Sequence, residues 1–449
     1  LKKTGKKPSK LETGSGGRIT ATCRQVPFSI VSGYRKDPSS MSKLIIEGGK
    51  RLSGSVAVSG SGRSALALLS AAVLSEQPSI LEQVPHITDV TETIHNLRMR
   101  GVRIEGDGRA LTVDASRLAG AGEEPIPFSC LAAALLAREG EALFLPQEDG
   151  REGTRMPDFL LKGFRALGAN LIEEGRLFRL VAPKLSGTRI YLDEARFDAT
   201  VALMLAAARA NGVTVLENVA RDPEVVDVAT FLTSMGVHVK GAGTDVIRIY
   251  GTGCPNGTRH AVLPDRFEAG FWMIAAAATG GRVRVMQVIP EHLQSVSAKL
   301  RETGAAVAEE EEAVTVEGST TVFPVDVKSL PYPGYPSALQ HSFATLLTQA
   351  SGTSLVTDRM FSSRMRHVDE LKKMGAKIKA EGRTAIVQGP VKLHGATVSA
   401  RDVPSALALV IAALVAKGKT EIFGAEELDR GVEEIASKLV SLGAVVKWG

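Results

Sequence analysis

Cysteine is scarce. The 449 residues hold three, Cys23, Cys130 and Cys254, odd in number and far apart. That spacing argues against a disulfide framework or a zinc site and suits a reducing compartment. Long apolar runs are also missing. The strongest, ALALVIAALVAKG at 406–418, falls short of the roughly 20 residues a bilayer span needs and reads as a buried helix, so no membrane insertion is expected. A basic surface is absent from the body of the chain. Residues 1–40 carry nine Lys/Arg against Glu12 and Asp37, a net +7 within a total of +5, which leaves −2 for everything after them. No nucleic-acid face is therefore expected.

The basic leader is polar, aperiodic and poor in acid, and Met41 in MSKLIIEGGKRLSG reads as a natural start. Residues 1–42 are expected to be disordered and outside the fold, as an upstream extension or a transit-type peptide, with a folded basic arm as the remaining reading. The chain as a whole has the composition of a soluble globular protein, 44% apolar and 23% charged. Its length exceeds what one core usually serves, which predicts two domains.

What the chain has in abundance is one phrase. VTETIHNLRMRG at 90–101 is a helix by apolar spacing, closed by a glycine suited to a left-handed cap, and GVRIEGDGRALTVDA then alternates as a hairpin. The phrase returns at Gly168, Gly236, Gly304, Gly375 and Gly443, at intervals of 67, 68, 68, 71 and 68 residues from Gly101. So steady a period is an internal repeat. The acidic run Glu309–Glu312 falls at one hairpin turn and reads as solvated. Between the phrases lie six Ala/Leu-rich stretches such as DATVALMLAAARANG at 198–212, small all round, which predicts helices packed tightly in an interior. Each unit thus reads strand–helix–strand–helix–strand–strand. Six units make either two three-fold globular bundles or a continuous solenoid; two helices and four strands per unit favour the bundles.

Seven phrases carry a family resemblance: GSVAVSGSGRSAL (54–66), ENVARDPEVVDVATFLTSMG (217–236), GTDVIRIYG (243–251), LPDRFEAG (263–270), YPGYPSALQ (332–340), FSSRMRHVDELKKMGA (361–376) and LDRGVEEIASKLVSLGA (428–444). Together they resemble the enolpyruvyl transferases, in the branch that acts on UDP-N-acetylglucosamine, from about residue 43 to the end. The resemblance implies a two-domain inside-out α/β barrel, one domain formed by 43–62 plus 263–449 and the other by 63–262, with substrates in the cleft. It implies transfer of the enolpyruvyl group of phosphoenolpyruvate to the sugar 3-hydroxyl, an early cytoplasmic step of peptidoglycan synthesis, without metal or other cofactor.

Such a reaction needs fixed cations for a multiply charged anion, a proton donor for the enol carbon, a base for the hydroxyl and closure against water. Where the family places a substrate-gripping lysine this chain has Gly62, and Arg63 restores the charge only through a one-residue shift. The mobile loop of the family corresponds to LPQEDGREGTRMPDF at 145–159, which has no cysteine; Asp149, or Glu148, stands in as the acid. Arg155 and Asp158 match positions that hold the nucleotide end, and Arg196 adds a phosphate partner. Arg364 and Asp402 match functional positions, while Asp265–Arg266 and Asp429–Arg430 read as substrate contacts or as ion pairs at helix starts. His367 reads as a packed residue rather than a catalyst. Against these, the family base falls on Ala338, two expected arginines fall on Pro404 and near Ile126, and a loop acid falls on Ser362. Removing one charged partner from a dry anion site costs about 2–5 kcal/mol, so two losses cancel most of a micromolar affinity unless other groups compensate. Two other readings therefore stay open: a non-catalytic paralogue that binds a nucleotide sugar or protein partner, and a transferase with another acceptor such as a shikimate phosphate.

Overall fold

The computed structural model describes residues 43–106, 109–119, 126–127, 130–145, 158–175, 177–360, 365 and 367–449. The basic leader, 1–42, lies outside them. Twelve α-helices occur among the described residues: α1 (Gly62–Ala72), α2 (Thr88–Met99), α3 (Cys130–Glu139), α4 (Asp158–Ala166), α5 (Phe197–Ala208), α6 (Pro223–Ser234), α7 (Arg266–Ala278), α8 (Gln294–Glu302), α9 (Gln340–Leu347), α10 (His367–Lys373), α11 (Val403–Val415) and α12 (Ile435–Ser441). None is long and apolar enough to cross a membrane.

The odd-numbered helices are the Ala/Leu-rich ones and form the interior. In α5 every residue from Ala199 to Ala208 is buried, and in α11 every residue from Ser405 to Leu414. Small side chains on all faces allow the axes to approach closely, which an amphipathic helix with a polar stripe could not do. The even-numbered helices end in the six periodic glycines, all left-handed, with φ between 83° and 97°. Each closes the same cap: the amide of Gly236 donates to Thr233 O and that of Val237 to Leu232 O, as Gly304 and Ala305 do to Arg301 O and Leu300 O. This double bond satisfies carbonyls that a helix end otherwise leaves open. The residue after the glycine and the residue it bonds, a leucine in five repeats and Phe164 in the second, are both buried, and that fixes where the hairpin begins.

Six four-stranded sheets wrap the helices, one per repeat. In the third, Arg189–Tyr191 pairs parallel with Val213–Glu217 across the α5 crossover, and Val213–Glu217 pairs antiparallel with Val246–Tyr250, which carries His238–Lys240 on its other edge. The second and fifth repeats are likewise built from consecutive chain. The other three borrow. Arg259–Ala261 supplies the outer strand of the first sheet, beside Ser79–Glu82. Ser53–Ala57 does the same for the fourth, beside Arg282–Met286. Lys43–Glu47 completes the sixth, between Lys419–Phe423 and Val445–Trp448.

Two separate apolar cores result. One runs from Ala65 to Val262; the other combines Leu44–Val58 with Ala269–Ala444. The architecture is therefore α/β and inside-out, with helices within and sheets without, in two lobes of three repeats. The acidic hairpin turn reads as expected: Glu310 and Glu309 pair with Arg284 and Arg301 at the surface.

Candidate active site

The chain passes between the lobes twice, and the passages lie side by side. Gly60 bridges Pro264 antiparallel, Ser61 N donates to Leu263 O at 2.7 Å, and Asp265 N donates to Ser59 O at 2.9 Å. Each passage ends in a helix cap. Ser61 accepts from Ser64 N and starts α1. Asp265 accepts from Phe267 N at 2.7 Å and Glu268 N at 3.0 Å and starts α7, while its second oxygen faces Gly62 N at 3.4 Å. Burial pushes the Asp265 carboxyl up to about 6, against the pull of the α7 amides. Glu268 accepts from Ser59 N, Trp272 Nε1 and Lys438 Nζ, at 3.0, 3.0 and 2.6 Å, and so ties α12 to the same point.

Arg266, next in sequence, reaches from one lobe into the other. Its Nε donates to Glu224 Oε1 at 3.0 Å and its Nη2 to Asp222 Oδ1 at 2.7 Å, both acceptors at the start of α6. Burial alone would push Glu224 up, but Arg266 and then Arg63 hold it below the usual carboxylate range. Arg266 is likewise held above its ordinary value by Glu224 and Asp222, in spite of burial. The geometry thus gives Asp265 and Arg266, expected as substrate contacts or ion pairs, protein partners at the crossing.

Arg63 stands at the same junction, one residue inside α1. Its guanidinium lies 4.0 Å from the ring centroid of Phe197 and 5.5 Å from that of Phe267, and Nη1 is 3.7 Å from Asp222 Oδ1. Its side chain keeps 39% exposure. At Gly62 a Cβ would come within 2.6 Å of Ile87 Cδ1, so a side chain there would require the buried Ile87 to turn aside. Cys130 lies in the same electrostatic neighbourhood. Burial, with Asp198 adding to it, pushes its thiol up to about 12, the opposite of what a reactive thiolate needs.

The other expected site residues that are described have partners within the protein. Asp402 caps α11, accepting from Ser405 N at 2.8 Å while Ser405 Oγ faces Asp402 N, a reciprocal capping box. Pro404 follows in the first turn, where a missing N–H is tolerated. Arg196 precedes α5 and forks onto Asp198 at 3.1 and 2.8 Å. Arg430 crosses between the lobes to Asp89 and to Glu92, the latter at 3.2 Å. His367 is buried with its ring 4.1 Å from that of His341. Beside Ala338, the fully buried Asp358 accepts from Ser337 Oγ, Gln340 Nε2 and Ser329 Oγ at 3.0, 2.6 and 2.8 Å. Glu148, Asp149, Arg155, Ser362 and Arg364 lie outside the described residues; Asp158 opens α4 with its side chain outside them. Sequence reading passed over Asp222, Glu224, Phe197 and Phe267. The stretch RDPEVV shows acid in the first turn of a helix, an ordinary dipole complement, and the arginine that gives it meaning lies 42 residues beyond Glu224.

The family model for EPSP synthase (3-phosphoshikimate 1-carboxyvinyltransferase) matches residues 46–439. The chain belongs to that family. UDP-N-acetylglucosamine 1-carboxyvinyltransferase 2 of Bacillus cereus is 47% identical to it over 414 residues, covering 90% of this chain and 96% of its own. UDP-N-acetylglucosamine 1-carboxyvinyltransferase of Halothermothrix orenii is 43% identical, covering 91% and 99%. The crystal structure of the enolpyruvyl transferase NikO from Streptomyces tendae superposes with a TM-score of 0.83 at 25% identity, over 91% of this chain and 99% of that one.

Proposed function

We propose that this protein transfers the enolpyruvyl group of phosphoenolpyruvate to the 3-hydroxyl of UDP-N-acetylglucosamine, as an early step of peptidoglycan synthesis in the cytoplasm. The observation that carries the reading is the 43–47% identity, across nine-tenths of the chain, to proteins named for that reaction. In the transfer the acceptor oxygen bonds to C2 of the enolpyruvyl group as C3 takes a proton; C3 then gives a proton back as the bond from C2 to the phosphate oxygen breaks, and the hydroxyl proton leaves with inorganic phosphate. At the junction Arg266 and Lys438 are held by carboxylates of the protein, which leaves Arg63 as the cation proposed for the anionic donor. Arg63 lies over the Phe197 ring at 4.0 Å and keeps 39% side-chain exposure, and its planar guanidinium is the group best fitted to bidentate carboxylate or phosphate contact. Arg155, Asp158, Arg196 and Arg364 complete the anion and nucleotide contacts in this reading, and Asp149 supplies the proton. Asp402 sets the first turn of α11 at the cleft. The two domains are the two lobes, 43–62 plus 263–449 and 63–262, which close on the substrates.

The test is phosphate release from phosphoenolpyruvate with and without UDP-N-acetylglucosamine. Release is expected to require the sugar and to fall by about 10²–10⁴ in Asp149→Ala. Release that ignores the sugar, or that responds instead to a shikimate phosphate, would overturn the assignment.

A further inference from the structure

The junction contains a device that the transferase reading does not require. Arg63 belongs to the first lobe through α1, and so does Phe197, at the start of α5. Phe267 belongs to the other lobe, at the start of α7. The guanidinium of Arg63 therefore has a ring from each lobe within cation–π range, at 4.0 and 5.5 Å. Its polar contact is divided in the same way. Asp222 Oδ1 stands 3.7 Å from Arg63 but 2.7 Å from Arg266, which comes from the far lobe. The short bond anchors the carboxylate, and the long one orients Arg63 without occupying its donors. An arginine has five N–H groups, and among the described residues the carboxylate paired with Arg63 is Asp222, with 39% of the arginine side chain exposed.

We propose that Phe197, Phe267 and Asp222 form a cradle that positions Arg63 as an anion-binding cation, and that the cradle is complete only when the lobes stand together. The inference rests on the proposed function for the identity of the anion, phosphoenolpyruvate, and on the geometry alone for the cradle. It makes Phe267, whose ring lies 4.4 Å from Arg266 and 5.5 Å from Arg63, a positioning residue: it carries no charge, yet it couples anion affinity to lobe approach. A lysine placed on the same helix would lack the planar guanidinium suited to lie against a ring, so the one-residue shift from Gly62 to Arg63 goes together with these two phenylalanines.

Steady-state kinetics on the full chain separate this from a packing role. Phe267→Leu is expected to raise KM for phosphoenolpyruvate about tenfold, leave KM for UDP-N-acetylglucosamine within about twofold, and be rescued by Phe267→Tyr, which keeps the ring. In an Arg63→Ala background, Phe267→Leu should add nothing further. An unchanged KM for phosphoenolpyruvate in Phe267→Leu, or an equal rise for both substrates, overturns the cradle even if wild type turns over normally. If wild type shows no sugar-dependent release, the proposed function fails by itself, and calorimetric titration of phosphoenolpyruvate into wild type, Phe267→Leu and Arg63→Ala decides the cradle. Weaker binding in both variants upholds it; equal affinity in all three, or none in wild type, ends it.

Discussion

At the residue scale, Asp265 shows how a capping carboxylate becomes a pH-dependent element. Its oxygens accept α7 amides and face Gly62 across the lobe passage, but burial outweighs those bonds and lifts it from the ordinary 3.8 to about 6. A folded-state value above the unfolded one means that the native protein holds a proton the unfolded chain gives up. The associated stability is complete below 3.8 and is lost as pH rises through about 6. The shift corresponds to about 3 kcal/mol. Asp265→Asn removes the titration while keeping an oxygen for the cap. Urea unfolding of wild type and variant at the two ends of that window should show wild type losing about 3 kcal/mol relative to the variant as pH rises. A constant difference, or one that grows in favour of wild type, would place the group in a wetter setting than the crossing provides. Nothing in LPDRFEAG announces this, since an Asp before an apolar run reads only as a helix start.

At the scale of the element, the helix ends were the most legible part of the chain. Glycine after a periodic apolar helix has one strong local meaning, and all six periodic glycines adopt the left-handed conformation that it requires. The interior helices were legible for a similar reason, because a run with small apolar residues on every face leaves no side for water. Residue roles were less so. Asp402, singled out by motif, is the N-cap of α11 with a reciprocal bond from Ser405. Capping and chemistry can be separated, because serine caps as well as aspartate but carries no charge. Asp402→Ala is expected to lose about 1 kcal/mol of stability and Asp402→Ser only a few tenths, read by thermal or urea unfolding. If Asp402→Ser is stable and still loses phosphate release, the carboxylate has a second task in the cleft. If its turnover matches wild type, the cap accounts for the residue.

At the scale of the whole molecule, the period revealed six units but not which strand completes each. Lys43–Glu47, Ser53–Ala57 and Arg259–Ala261 are strands that each serve a repeat distant in sequence from their neighbours. A two-residue alternation defines which face is buried, not which edge is paired, so the strand exchange that draws the chain twice between the lobes could not be read from pattern. The tie at that crossing is Arg266. Its guanidinium and the Glu224 carboxylate are both almost fully buried, at 6% and 0% side-chain exposure, and they belong to different lobes. Removing one member of a buried pair leaves the other charged and dry, which costs about 3–5 kcal/mol, whereas removing both is far milder. Arg266→Leu should therefore lower the urea midpoint sharply, and Arg266→Leu with Glu224→Gln should recover more than half of the loss. Asp222 moderates the outcome, because Arg63 remains within 3.7 Å to share its charge. A single variant as stable as wild type would mean that water reaches Glu224 and that the lobes are not locked through this pair. A double variant as weak as the single would instead assign the loss to the packing of the Arg266 stem against Phe267 and Tyr332, over whose rings its guanidinium sits at 4.4 and 5.2 Å.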